Sequence, residues 1–305
     1  VHTGPNNGWA IMAGDAYTSD SALTGAALSF PLALKQVKGF PMLITEGAWV
    51  FPNACAAEAP FLVSVYGGLT GFDAYYWFAT GTEEWTPPQS ANGYMPSQQK
   101  WICATPDMLG QFPAAALIYR QGLVRTASRV VDLELAVSDL YALKGTPLPA
   151  PQNFDQLRGD DVPPGGTITN VGAIDSLAFL VGRVGGDFVT HSAPASRIQD
   201  LSPYIDRTRK KVRSHTGELE WDWGMGKLAI NAPAAQGVTG FLKAFGTVEL
   251  DDIRIQSGMD YGSVLVVAVD CRHLASSAKV LLQVGSEELP HEWATSGPYG
   301  VRTLT

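Results

Sequence analysis

Apolar residues in the first 125 positions fall into two rhythms. Three short runs, Trp9 to Ala16, Pro41 to Trp49 and Asp73 to Thr80, are dense in apolar and aromatic side chains and read as strands. Between them, Leu23, Ala27, Leu28, Leu32 and Val37 recur within Ser21 to Lys38, and Phe61, Leu62, Val65 and Leu69 within Ala56 to Leu69. That spacing predicts two helices. Phe112 to Val124 predicts a third, ending near Gly122. Strands alternating with helices predict a parallel βα arrangement.

Beyond about residue 125 the rhythm shifts to runs rich in β-branched residues: Ser128 to Leu135, Ser176 to Val184, Glu218 to Trp223, Lys227 to Asn231, Val238 to Leu242, Val264 to Asp270 and Lys279 to Val284. Short turns such as Gly224-Met225-Gly226 join some of them, which predicts an antiparallel β-sandwich. Gly145 to Pro151 and Asp160 to Gly166 are rich in Pro and Gly and can continue neither a helix nor a central strand. The chain thus divides into residues 1–125 and 126–305, with a connector at about 145–166.

The run Pro41 to Trp49 delivers Glu46 near its C-terminal end, where a parallel strand presents a group to a pocket. Asp73-Ala74-Tyr75-Tyr76-Trp77-Phe78 follows with four consecutive aromatics, Tyr75 and Trp77 on one side of the strand. The bulk of Tyr76 and Phe78 predicts burial. A carboxylate beside an aromatic suits a sugar, whose C–H face stacks on a ring while its hydroxyls seek polar groups.

Charge and composition narrow the classes. Lys and Arg number 21 against 29 Asp and Glu, a formal charge of −8. The basic residues are scattered except for Arg207 to Arg213, which reads as a solvated turn; a nucleic-acid binder needs a basic stripe. No run reaches the roughly 18 to 20 apolar residues that span a bilayer. The three cysteines allow one pair, Cys55 with Cys103, and an odd thiol. The five histidines have no metal-binding spacing, so no metal site is expected.

Ile44-Thr45-Glu46, Phe51-Pro52-Asn53, Ala57-Glu58-Ala59-Pro60 and Asp73-Ala74-Tyr75-Tyr76-Trp77 together resemble the last third of the (β/α)8 catalytic barrel of retaining glycoside hydrolases in the cellulase and β-galactosidase superclan. The segment Thr216 to Asp222, continuing through Ala232 to Phe241, looks like the β-sandwich domains that follow such barrels in large bacterial polysaccharide-degrading enzymes. The resemblance implies an α/β plus all-β fold: the C-terminal part of a TIM barrel, then an antiparallel sandwich. It implies Glu46 as catalytic nucleophile, Trp77 as sugar platform, Tyr17, Tyr75 and Asn53 as further substrate-binding residues, and no cofactor. An extracellular or periplasmic location follows from the same likeness. The superclan's acid/base is the Glu of an Asn-Glu pair, and this chain has no such dipeptide. An N-terminal barrel fragment or a second chain is therefore expected to carry it. The rival expectation is a non-catalytic carbohydrate-binding or scaffolding protein.

Overall fold

The structure, a computed structural model, describes residues 2–3, 10–11, 16–24, 32–49, 53–78, 98–99, 103, 105–142, 174–190, 195–287, 293–295 and 301–304. From residue 36 onward its elements include, in chain order, the strands β1 (Gln36–Val37) and β2 (Leu43–Gly47), then helix α1 (Glu58–Thr70) and β3 (Ala74–Trp77). Helix α2 (Phe112–Arg120), β4 (Arg129–Ala136), α3 (Ala178–Val181), β5 (Arg183–Val189) and β6 (Arg197–Ile198) follow.

The strands β2 and β3 pair in parallel, with α1 as their crossover. Every residue of α1 is buried, which explains why Glu58-Ala-Pro-Phe-Leu-Val-Ser-Val-Tyr-Gly-Gly-Leu-Thr70 lacks a polar face: a helix apolar all round belongs inside. Gly71 ends it in the left-handed conformation at φ 65°, its N–H donating to Gly67 O. A second sheet has the order β6-β4-β5-β1, with β4, β5 and β1 parallel and β6 antiparallel to β4.

The C-terminal region supplies β7 (Ile205–Asp206), β8 (Lys211–Arg213), β9 (Leu219–Asp222), β10 (Lys227–Ala232) and β11 (Ala235–Gly240). Helix α4 (Leu242–Phe245), β12 (Thr247–Glu249), β13 (Arg254–Gln256), β14 (Gly262–Ala268) and β15 (Val280–Gly285) complete it. One antiparallel sheet runs β7-β8-β9-β10-β11-β14-β15. Its side chains alternate between two covers, as the period of two dictates. Leu265 and Val267 join the main core with α1 and α2, while Val238 and Val264 pack with Leu242, Val248 and Ile255 of α4 and the β12–β13 ribbon.

These arrangements correct the expected fold. No part of a (β/α)8 barrel is evident: β2 and β3 form a sheet of two strands among the described residues. Ala16–Thr18, at the end of the run expected to be a further parallel strand, pairs antiparallel with His2–Thr3 and Val301–Leu304. Of residues 21–38, expected as a helix, 25–31 lie outside the described residues, and the rest contain a short 3-10 turn at Ala22–Thr24 and the strand β1. Two of the spaced leucines still enter the core, Leu23 fully and Leu32 at 4% exposure; spacing reports burial, and burial alone does not make a helix. The described residues of 126–305 hold the expected antiparallel sheet, but mixed with parallel strands and helices rather than as all-β structure. Parallel pairing continues in β4 and β5, Ser176 to Val184 contains α3, and helices cover one face of the seven-stranded sheet. The connector at 145–166 lies outside the described residues.

The main core crosses the boundary expected near residue 125, taking Leu23 and Phe61 from one side and Trp221 and Leu265 from the other. Trp221 in β9 is fully buried, its ring centroid lies 5.7 Å from that of Tyr66 in α1, and its Nε1 donates to Leu23 O at 2.9 Å. Nearby, the Glu218 carboxylate, 4% exposed, accepts from Arg125 N and Nε, each at 2.8 Å. We expect Trp221→Ala to destabilise the protein by about 3–5 kcal/mol, the usual effect of emptying a large aromatic site, and Trp221→Phe by less. Urea unfolding measures both. A loss below about 1 kcal/mol for the alanine variant would show that this contact does not tie α1 to the sheet.

Candidate functional site

The pair β2–β3 has two unlike faces. Its register joins Leu43 to Ala74 and Ile44 to Tyr75, then jumps so that Gly47 meets Trp77. The irregularity sets both Thr45 and Glu46 against Tyr76. Such a bulge re-aims side chains, and Thr45, Glu46 and Tyr76 are all exposed, Tyr76 at 55%. Among the described residues the Glu46 carboxylate has no hydrogen-bond or ion-pair partner. It stands at the carboxyl end of a parallel strand, the end at which open α/β sheets bind ligands.

The inner face is aromatic. Trp77 is half-buried, its ring centroid 4.8 Å from Tyr75, 5.1 Å from Phe112 and 6.4 Å from Trp49. Phe72 extends the cluster to Tyr119 at 5.4 Å. The Tyr75 hydroxyl lies where a Cβ on residue 47 would be, 2.0 Å from that point, so only glycine fits there. That hydroxyl is buried without a hydrogen-bond partner among the described residues, and burial pushes its pKa well above the usual range.

Tyr75 and Trp77 do share a side, and it is the packed side. Tyr76, expected to be buried, is the exposed aromatic; the alternation was legible, but which face met the core was set by α1 and α2. Asn53 is engaged at both ends of its amide, Nδ2 donating to Asp20 O at 3.0 Å and Oδ1 accepting from Cys55 N at 2.9 Å. Tyr17 lies on Ala16–Thr18, in a different sheet from Glu46. Cys55 and Cys103 are both buried and no disulfide joins them, so the pair allowed by their number does not form. Among the described residues no group of three His, Cys, Asp or Glu side chains is placed to hold a metal ion, and no helix is long and apolar enough to cross a membrane.

Beneath this surface lies a carboxyl of a different kind. Glu58, in the first turn of α1, is 0% exposed. Its Oε1 accepts from Trp49 Nε1 at 2.9 Å and from Ala22 N at 2.8 Å. Its Oε2 lies 2.6 Å from Ser21 Oγ and also contacts the Tyr261 hydroxyl, while Ser21 Oγ and Tyr261 Oη are 2.8 Å apart. Three oxygens in mutual contact have three edges to fill. The two hydroxyls supply two hydrogens, and a proton on Glu58 supplies the third. Burial acts in the same direction, raising the Glu58 pKa against the lowering effect of its hydrogen bonds. No sequence signal joins Ser21, Trp49, Glu58 and Tyr261, because the fold alone brings them together.

Comparison with protein-family models, with curated proteins and with solved structures returned no match.

A Glu whose folded pKa is raised binds more protons folded than unfolded between the two pKa values. Its contribution to stability is therefore fully present below the unfolded value and is lost as pH rises towards the folded one. We expect the melting temperature of the wild type to fall, relative to that of Glu58→Gln, as pH rises from about 4.5. Parallel melting curves across this range for both proteins would show Glu58 to be ionised in the fold.

Proposed function

We propose that the open face at the carboxyl end of β2 and β3 binds a sugar, and that Glu46 is the nucleophile of a retaining glycoside hydrolase acting on a β-linked oligo- or polysaccharide. The reading is carried by one observation: an exposed carboxylate, without a partner among the described residues, opposes an exposed aromatic, Tyr76, across a bulge at the ends of two parallel strands. Tyr76 offers a ring face for stacking, and the half-buried Trp77 beside it backs the strand. The likeness of Ile44-Thr45-Glu46 and Asp73 to Trp77 to the glycosidase superclan supports the same assignment.

In this chemistry the Glu46 carboxylate attacks the anomeric carbon as the acid/base carboxyl protonates the leaving oxygen. The acid/base, now a carboxylate, then takes a proton from water, which cleaves the glycosyl ester and regenerates Glu46. The second carboxyl must lie about 5–5.5 Å from the first. Among the described residues Glu58 is sealed in its network, and Asp73 sits at the far end of β3, where its Oδ2 accepts from Met42 N at 2.8 Å. Asp15, Glu83 and Glu84 lie outside the described residues. We therefore assign the acid/base to a residue beyond the described set or to a second polypeptide docked on this face. A polymeric substrate does not cross a membrane, so this reading places the protein in an extracellular or periplasmic compartment.

The lack of a second carboxyl on this face among the described residues favours one rival, a non-catalytic carbohydrate-binding protein. Turnover of aryl β-glycosides, measured beside oligosaccharide binding, separates the two. We expect Glu46→Gln to lower turnover by about a thousandfold or more with an unchanged melt, and Tyr76→Ala to weaken binding about fivefold. Retention of more than about a tenth of the activity by Glu46→Gln would remove it as nucleophile. Oligosaccharide binding by a wild type that turns over no glycoside supports the binding protein.

A further inference from the structure

We infer that a second carbohydrate site, for a neutral oligosaccharide, occupies an open groove of about 990 Å³ at the β7–β8 end of the seven-stranded sheet. Leu201, Ile205 and Val212 are among its apolar lining residues. Four carboxylates line it, Asp175, Asp200, Asp206 and Glu220, and so do four cations, Arg207, Arg209, Lys211 and Arg213. None of these residues belongs to the face that carries Glu46 and Tyr76, so the inference does not rest on the hydrolase chemistry.

The rim is held in place before any ligand arrives. Asp200 accepts from Ser202 N and Oγ, both at 2.9 Å, and these bonds keep its pKa below the usual carboxylate range. Asp206 Oδ1 accepts from Arg209 N at 2.9 Å across the β7–β8 turn, where Lys210 adopts φ 57°. Lys211 Nζ lies 3.2 Å from Glu220 Oε1, and Arg207 pairs with Asp175. Arg213 is exposed, and its guanidinium has no partner among the described residues, so its donors face the groove uncommitted.

The charge pattern selects the ligand. A polyanion would meet four carboxylates, and a polycation four fixed positive charges. A neutral sugar chain meets neither penalty, because each hydroxyl can donate to a carboxylate and accept from a guanidinium. The half-buried Tyr204, whose ring centroid is 5.6 Å from that of His215, adds an aromatic edge for a C–H face. Ligand sites commonly run from about 300 to 1,000 Å³, so the groove has room for more than one sugar ring. Strand β7 is the sheet's edge, which leaves the groove open for a longer polymer to pass through.

Isothermal titration of the full chain with cellohexaose, xylohexaose and mannohexaose, and with hexagalacturonate as the anionic probe, tests this. At least one neutral hexasaccharide should bind, and Arg213→Ala, folded by its melt, should weaken that binding about tenfold, the worth of a charge-assisted hydrogen bond. Glu46→Gln and Tyr76→Ala should leave the Arg213-sensitive binding in place. Failure of all three neutral probes at millimolar concentration, or preference for hexagalacturonate, overturns the inference. So does binding that Tyr76→Ala weakens and Arg213→Ala does not, an outcome that leaves the first site standing. Arg213-sensitive binding in a protein without glycosidase activity supports the groove and removes the hydrolase.

Discussion

A single buried carboxyl holds the architecture together. Glu58 sits at the start of α1, yet its contacts come from three other places in the chain: the Ser21–Ala22 turn, Trp49 just after β2, and Tyr261 at the entry to β14. A buried polar network is stable only when each member is satisfied. Removing any one of these donors would leave another polar group stranded in an apolar interior, which makes the network a condition on the relative placement of α1, the parallel pair and the antiparallel sheet.

The packing around it follows the same logic. Helix α1 is buried on all sides because α2, the strand β5, and β11 and β14 of the seven-stranded sheet pack around it, with Tyr66 reaching Trp221 and Ser263 Oγ donating to Ala57 O at 2.7 Å. Parallel strands need cover on their faces, and α2, through Phe112 and Tyr119, supplies it on the inner side of β2–β3 together with Phe72, just beyond the end of α1. The outer side keeps Thr45, Glu46 and Tyr76 in solvent. A rigid aromatic underlayer beneath an exposed carboxylate is a suitable base for a binding surface, since the strand carrying the group cannot easily move.

The two polar surfaces differ in how their charge is arranged. On β2–β3 the Glu46 carboxylate stands without a partner among the described residues. In the β7–β8 groove both signs are present, and most of the charges are already paired. The first arrangement suits chemistry at one atom, and the second suits recognition of many weak donors and acceptors along a chain. Both lie beside sheet edges, where backbone and side chains remain accessible.

Much local structure was readable from the residues. Phe61, Leu62, Val65 and Leu69 marked α1, Phe112 to Gly122 marked α2 and its end, and the alternation in 218–242 and 264–284 marked most of the antiparallel strands, because period and turn chemistry are properties of the chain itself. The position of Glu46 near a strand's end was readable for the same reason. What the chain could not show by itself was which strands meet and which face is covered. Ala16–Thr18 pairs with Val301–Leu304 rather than beside β2, Tyr76 faces out while Trp77 packs in, and Ser21, Trp49 and Tyr261 converge on Glu58 across as many as 203 positions. Those outcomes depend on long-range contacts whose partners are unrelated by spacing, so only the tertiary structure could decide them.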